Sequence, residues 1–177
     1  SAAAGDKAAN TKGNPAVSLR VYDKAIALKK GASKTVTLYV TPQDPSKNIT
    51  DVPVITSARS ELVKVTGVAL SGTKLTFKAR GMKAGRTTFN VTVGNNTAKV
   101  KVTVLKKANK ASKVKAFKKK VSVKTTKTAK VVIKITAVNK KAVCTDTITA
   151  KSSKNNIATV ESVAVSKGKA IIRVKGI

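Results

Sequence analysis

No histidine occurs in the 177 residues, and a single cysteine, Cys144, accompanies only seven Asp and Glu. Acid–base catalysis and metal binding both need several such groups close together. The seven carboxylates are scattered, so no catalytic residue, metal site or cofactor is expected. Asp51 and Asp146 each follow a threonine. The functional reading is a ligand or cation contact at a sheet end, but calcium wants six to eight oxygens. An Asx turn closing the start of a strand accounts for both. The run GVALSGTK at Gly67–Lys74 approaches a phosphate-binding loop but carries Thr-Lys where Lys-Ser/Thr is required. It also lies between short strands rather than leading into a helix. A lone Cys144 excludes an intrachain disulfide and suits a small core or edge position. The Asn-x-Thr triplets at Asn48, Asn90 and Asn95 are matches that chance supplies in a chain rich in Asn and Thr.

Lysine is what remains. Lys and Arg number 37, for a formal charge of +30. Of these, 17 lie in the first 105 residues and 20 in the last 72, so charge is denser in the second part. Lys113, Lys115, Lys118, Lys119, Lys120 and Lys124 crowd one stretch, beside Lys106, Lys107 and Lys110. Such a cluster holds polyanions by releasing their counterions, and these nine lysines are the candidate binding residues. Sequence-specific nucleic-acid readers add arginines for base edges or aromatics for stacking. Aromatics are 3% of this chain, so sequence-specific nucleic acid is not expected as a partner. An anionic surface polymer or neighbouring protein subunits are.

The elements that carry these residues read as strands. Val, Ile, Leu and Thr dominate the patterned stretches, and β-branched residues suit a pleated, half-buried surface. Lys34–Thr41 alternates cleanly, with Val36, Leu38 and Val40 on one face. Leu75, Phe77 and Ala79 then share a face, as do Phe89, Val91 and Val93, and Ala98, Val100, Val102 and Val104. Gly94-Asn95-Asn96 suits a tight hairpin. Pro53 marks an edge or bulge, and short pieces are expected at Leu62–Val65 and Val68–Leu70. About nine strands are thus expected in the first part. No apolar run approaches the roughly 20 residues that span a bilayer. The opening SAAAGDKAANTKGN has the composition of a mobile arm.

A single offset of 95 residues aligns 17–82 with 112–177 without a gap. Val36, Leu38 and Val40 fall on Val131, Ile133 and Ile135, Thr50-Asp51 on Thr145-Asp146, and Gly81 on Gly176. Apolar positions persist while the alternate ones drift, which is how a duplicated β unit behaves when burial constrains one face. The expected organisation is an N-terminal arm at 1–16, a first unit at 17–105, a polar linker at 106–111 and a second unit at 112–177. Short strands with regular turn signals indicate an all-β fold of two tandem β-sandwiches. The second unit lacks counterparts of the last two strands, which would leave Val131, Ile133, Ile135, Ile172 and Val174 partly uncovered and the sheet with unpaired edges. Either the polypeptide continues, or another chain completes the unit by strand donation.

The two units resemble the bacterial immunoglobulin-like domain of the group 2 type. The resemblance rests on Ala25-Ile26-Ala27-Leu28-Lys29-Lys30-Gly31, on the Ser-rich turns Ser57–Val65 and Ser152–Val160, and on Gly81–Gly85 leading into the hairpin Thr87–Val104. Departures are Val54 and Thr149 where the family often has an aromatic, and Thr125-Thr126-Lys127 without the glycine found at Gly31. The resemblance implies a noncatalytic structural or adhesive module, extracellular or at the bacterial cell surface, with the virion surface as alternative. A dedicated polyanion-binding protein, or an accessory module of a larger secreted enzyme, are the other readings.

Overall fold

A computed structural model describes residues 13–177, and the arm expected over the opening residues lies, for 1–12, outside the described residues. Twelve strands occur among the described residues: β1 (Ala16–Val21), β2 (Ala25–Lys29), β3 (Ser33–Pro42), β4 (Val54–Ser57), β5 (Val63–Ser71), β6 (Lys74–Gly81), β7 (Gly85–Val93), β8 (Asn96–Leu105), β9 (Ala111–Ala116), β10 (Thr128–Ala137), β11 (Ala158–Ser166) and β12 (Lys169–Gly176). No helix is present among the described residues, and therefore none there is long and apolar enough to cross a membrane.

The strands form three four-stranded sheets, ordered β1-β3-β6-β5, β2-β8-β7-β4 and β11-β12-β10-β9. The first two face each other over an aliphatic core built by the alternation in sequence. Val36, Leu38 and Val40 of β3 and Leu75, Phe77 and Ala79 of β6 meet Phe89, Val91 and Val93 of β7 and Val100, Val102 and Val104 of β8. All are at most 2% exposed. Phe77 and Phe89, one from each sheet, meet edge to face with centroids 5.5 Å apart, a favoured aromatic geometry. Pairing is antiparallel except β2 with β8, which run parallel.

Several expectations change here. The first part holds eight strands, not about nine, because the pieces near 62–65 and 68–70 are one strand, β5, with a register shift between Thr66 and Ala69. Pro53 immediately precedes β4, an edge strand paired only with β7. The arm does not extend through residue 16. Asn14 is buried and Ala16 opens β1.

The third sheet repeats the first in register. Lys134 pairs with Lys169 as Tyr39 pairs with Lys74, and Val114 with Ile135 as Leu19 with Val40, each at the offset of 95. The stretches equivalent to β2 and β4 form no strand. In the first part β2 pairs with β8 and β4 with β7, and the described residues hold no counterpart of β7 or β8. A strand without a partner leaves its backbone groups unpaired. Accordingly, Val131, Ile133, Ile172 and Val174 are only half-buried, whereas their counterparts Val36, Leu38, Phe77 and Ala79 are at most 1% exposed. Ile135 is covered.

Candidate polyanion-binding surface

Turn geometry recurs at the level of single hydrogen bonds. The Asn14 side chain donates to the carbonyls of Asp44 and Lys47, both at 2.9 Å, and accepts from the Asp44 N–H at 2.8 Å. The Asn109 side chain does the same with Asn139 and Ala142, and reaches Val143 as well. Asp51 accepts the N–H of Ala16 and Asp146 that of Ala111, both at 2.8 Å. The Asx-turn expectation for these aspartates is thus corrected. Each ties a loop to the first residue of a strand 35 positions away. Among the described residues no three His, Cys, Asp or Glu gather as a metal site.

All nine candidate lysines are exposed, but they do not share one strand surface. Lys113 and Lys115 lie on β9; Lys118, Lys119, Lys120 and Lys124 lie in the stretch after it that forms no strand; Lys106, Lys107 and Lys110 lie between β8 and β9. The expectation that the first group rides on strands therefore holds for Lys113 and Lys115 alone.

Register reveals a different grouping. In β10, Ala129, Val131, Ile133, Ile135 and Ala137 share the inner face, so alternation puts Thr128, Lys130, Val132, Lys134 and Thr136 on the outer one. Lys134 stands opposite Lys115 on one side and Lys169 on the other, a row of three lysines across three strands. Two positions beyond the intervening Val132, Lys130 stands opposite Arg173. Thr128 faces Lys175, and Lys113 faces Thr136. Seven cations thus occupy one sheet face with no carboxylate among these pairs. The two salt bridges among the described residues, Lys47–Asp44 and Arg59–Glu61, lie elsewhere. Like charges directly opposite on neighbouring strands are unfavourable, so this row is retained at a cost to the fold. Sequence clustering missed it because Lys134 and Lys169 are brought together only by strand pairing.

The basic face continues toward the first part. Two guanidiniums approach the Tyr22 ring, Arg20 at 5.9 Å and Arg173 at 5.1 Å from its centroid, within cation–π range. Asp23 accepts the Val165 N–H at 2.9 Å, and Lys34 donates to the Asp146 carbonyl at 3.4 Å. Beside these contacts lies a cavity of about 350 Å³ lined by Ile26, Lys34, Ile135, Cys144, Val163 and Val165, among others. Burial pushes the Asp23 carboxyl up, against the Val165 hydrogen bond and nearby Lys34. Burial likewise lowers the Lys34 ammonium, against Cys144, Asp146 and Asp23. Cys144 is half-buried.

No protein-family model matches the chain, and no curated protein does. Among solved structures, domains 5–6 of the S-layer protein SbsC are 21% identical, with 93% of this chain and 86% of that one covered and a TM-score of 0.48. SbsC domains 4 and 5 are 27% identical over 53% of this chain and 55% of that one, TM-score 0.44. The Yersinia pseudotuberculosis adhesin InvE is 12% identical over 94% of this chain and 53% of that one, TM-score 0.37. The chain thus spans little more than half the length of the last two. These neighbours are bacterial S-layer and adhesin β structures; similarity at this level assigns no function to the chain.

Proposed function

We propose that the chain is a noncatalytic structural or adhesive module of a bacterial surface, built from two tandem immunoglobulin-like domains of the group 2 type. The first runs from the Asn14 tie to Leu105 and the second from the Asn109 tie onward, each a few residues earlier than the 17 and 112 read from the sequence. The observation that carries this reading is the recurrence of the buried-asparagine tie at Asn14 and Asn109, with the aspartate tie beside it. Duplication has preserved the devices that hold a module rigid, and the chain's scattered carboxylates and missing histidine offer little for acid–base chemistry. The basic surface faces an anionic polymer or an assembly partner.

Adsorption to isolated bacterial cell walls tests this reading. The chain should bind walls at 50 mM salt, leave them at 500 mM, and not change the length of the wall polymers. A hydrolytic or transferase activity abolished by one substitution would overturn it. The half-buried inner face of β10 and β12 suits pairing with strands of the β7–β8 pattern, from the same polypeptide or from a neighbouring subunit. A peptide of residues 84–105 should then slow amide exchange in β10 and β12; unchanged exchange at saturating peptide would contradict strand addition.

A further inference from the structure

The outer face of the third sheet is ordered into rows of different character. Lys115, Lys134 and Lys169 form one, continued by Ser166 on β11. Lys130, Arg173 and Ser162 form another. Between them runs Val132 opposite Ile171, with Ala164 opposite Ile171 on its far side. Phe117 extends this middle row, since its N–H donates to the Val132 carbonyl at 3.1 Å. Phe117 is 59% exposed and lines a depression of about 370 Å³ with Lys113, Lys115, Lys134 and Thr136. An apolar row crossing the sheet is therefore bordered on both sides by cations. Neighbouring strands lie about 4.8 Å apart and alternate residues about 6.7 Å along a strand, so the two cationic rows stand about 13 Å apart.

We propose that this face binds a linear acidic glycan. Sugar rings lie along Phe117, Val132 and Ile171, and their anionic substituents meet Lys115, Lys134 and Lys169 on one side and Lys130 and Arg173 on the other. This deepens the preceding section's reading of a basic surface facing an anionic polymer, and rests on it. One feature selects the glycan over single-stranded nucleic acid. Nonspecific nucleic-acid platforms stack successive bases on several aromatics, whereas this row offers one ring and then aliphatic side chains, which suit the C–H faces of pyranoses. No carboxylate pairs with the lysine row across the strands, so an incoming polyanion of either kind relieves repulsion already present in the free protein.

The test is the affinity of the whole chain for sodium polygalacturonate, measured by calorimetry between 50 and 200 mM salt, with poly(dT) as competitor. Lys134→Gln/Lys169→Gln should weaken binding at least tenfold at 50 mM salt and lower the log–log salt slope by about two. Phe117→Ala should weaken it severalfold with the slope unchanged. Lys99→Gln/Lys101→Gln removes the same charge elsewhere and should leave affinity within twofold. Thermal unfolding of each variant establishes that it is folded, and the Lys134/Lys169 variant should melt higher than the parent at low salt. Equal losses in the two double variants would overturn the site in favour of diffuse charge. Tighter binding of poly(dT) would overturn the glycan, and no binding at 50 mM salt would overturn both. If wall adsorption persists while these results fail, the module reading stands and the site does not.

Discussion

Asn14 and Asn109 are short polar residues in stretches that read as arm and linker, yet each is about 95% buried. Each side chain serves carbonyls and an N–H roughly thirty residues ahead. With about 1 kcal/mol for each of three hydrogen bonds, Asn14→Ala should cost roughly 3 kcal/mol in urea denaturation. Gly94 has φ +62°, and a Cβ there would strike the Asp51 carboxylate that caps β1. The missing turn glycine noted at Thr125–Lys127 has a visible consequence. Thr126 takes φ 65° where its counterpart Gly31 takes 86°. A β-branched residue in the left-handed region is strained by about 1–2 kcal/mol, so Thr126→Gly should raise stability by about 1 kcal/mol and shift the melting temperature upward.

At the scale of elements, period-two alternation makes β3, β6, β7 and β8 legible, because burial on one face fixes both pattern and register. The offset of 95 made the third sheet legible as well. Strand pairing itself was not: the register of β10 against β9 and β12 decides which cations align, and no local pattern announces it. For the same reason the lysine cluster read along the chain is only partly the cluster found across the sheet. The β2 and β4 counterparts form no strand among the described residues, which hold no pairing partner for them. Amide exchange should be slowest in β3, β6, β7 and β8 and fast over 118–124. Phe89→Ala, which empties the centre of the two-sheet core, should cost about 4 kcal/mol by denaturant unfolding.

For the whole molecule, the junction at Asp23 and Lys34 makes stability depend on pH. Burial raises the Asp23 carboxyl above its ordinary 3.8, so the folded chain holds that proton more tightly than the unfolded chain does. Stability contributed by the protonated form is present below that value and is lost as pH rises through the folded one. Asp23→Asn keeps an acceptor for the Val165 N–H and should flatten melting temperature against pH above 4, with higher stability at pH 7. Lys34, lowered by burial, acts at the alkaline end. There the unfolded chain binds the proton more tightly, so stability rises as pH climbs through the lowered value toward 10.5.

The recurring ties and the cationic outer face of the third sheet support one proposal, a surface module that adheres through β9, β10 and β12. Chemical-shift mapping of the whole chain with a short oligogalacturonate at 50 mM salt tests it most directly. The account predicts perturbations concentrated at 113–117, 130–134 and 169–173, fading as salt is raised. Perturbations confined to 106–110 and 118–124, or spread evenly over the lysines of both parts, would contradict it.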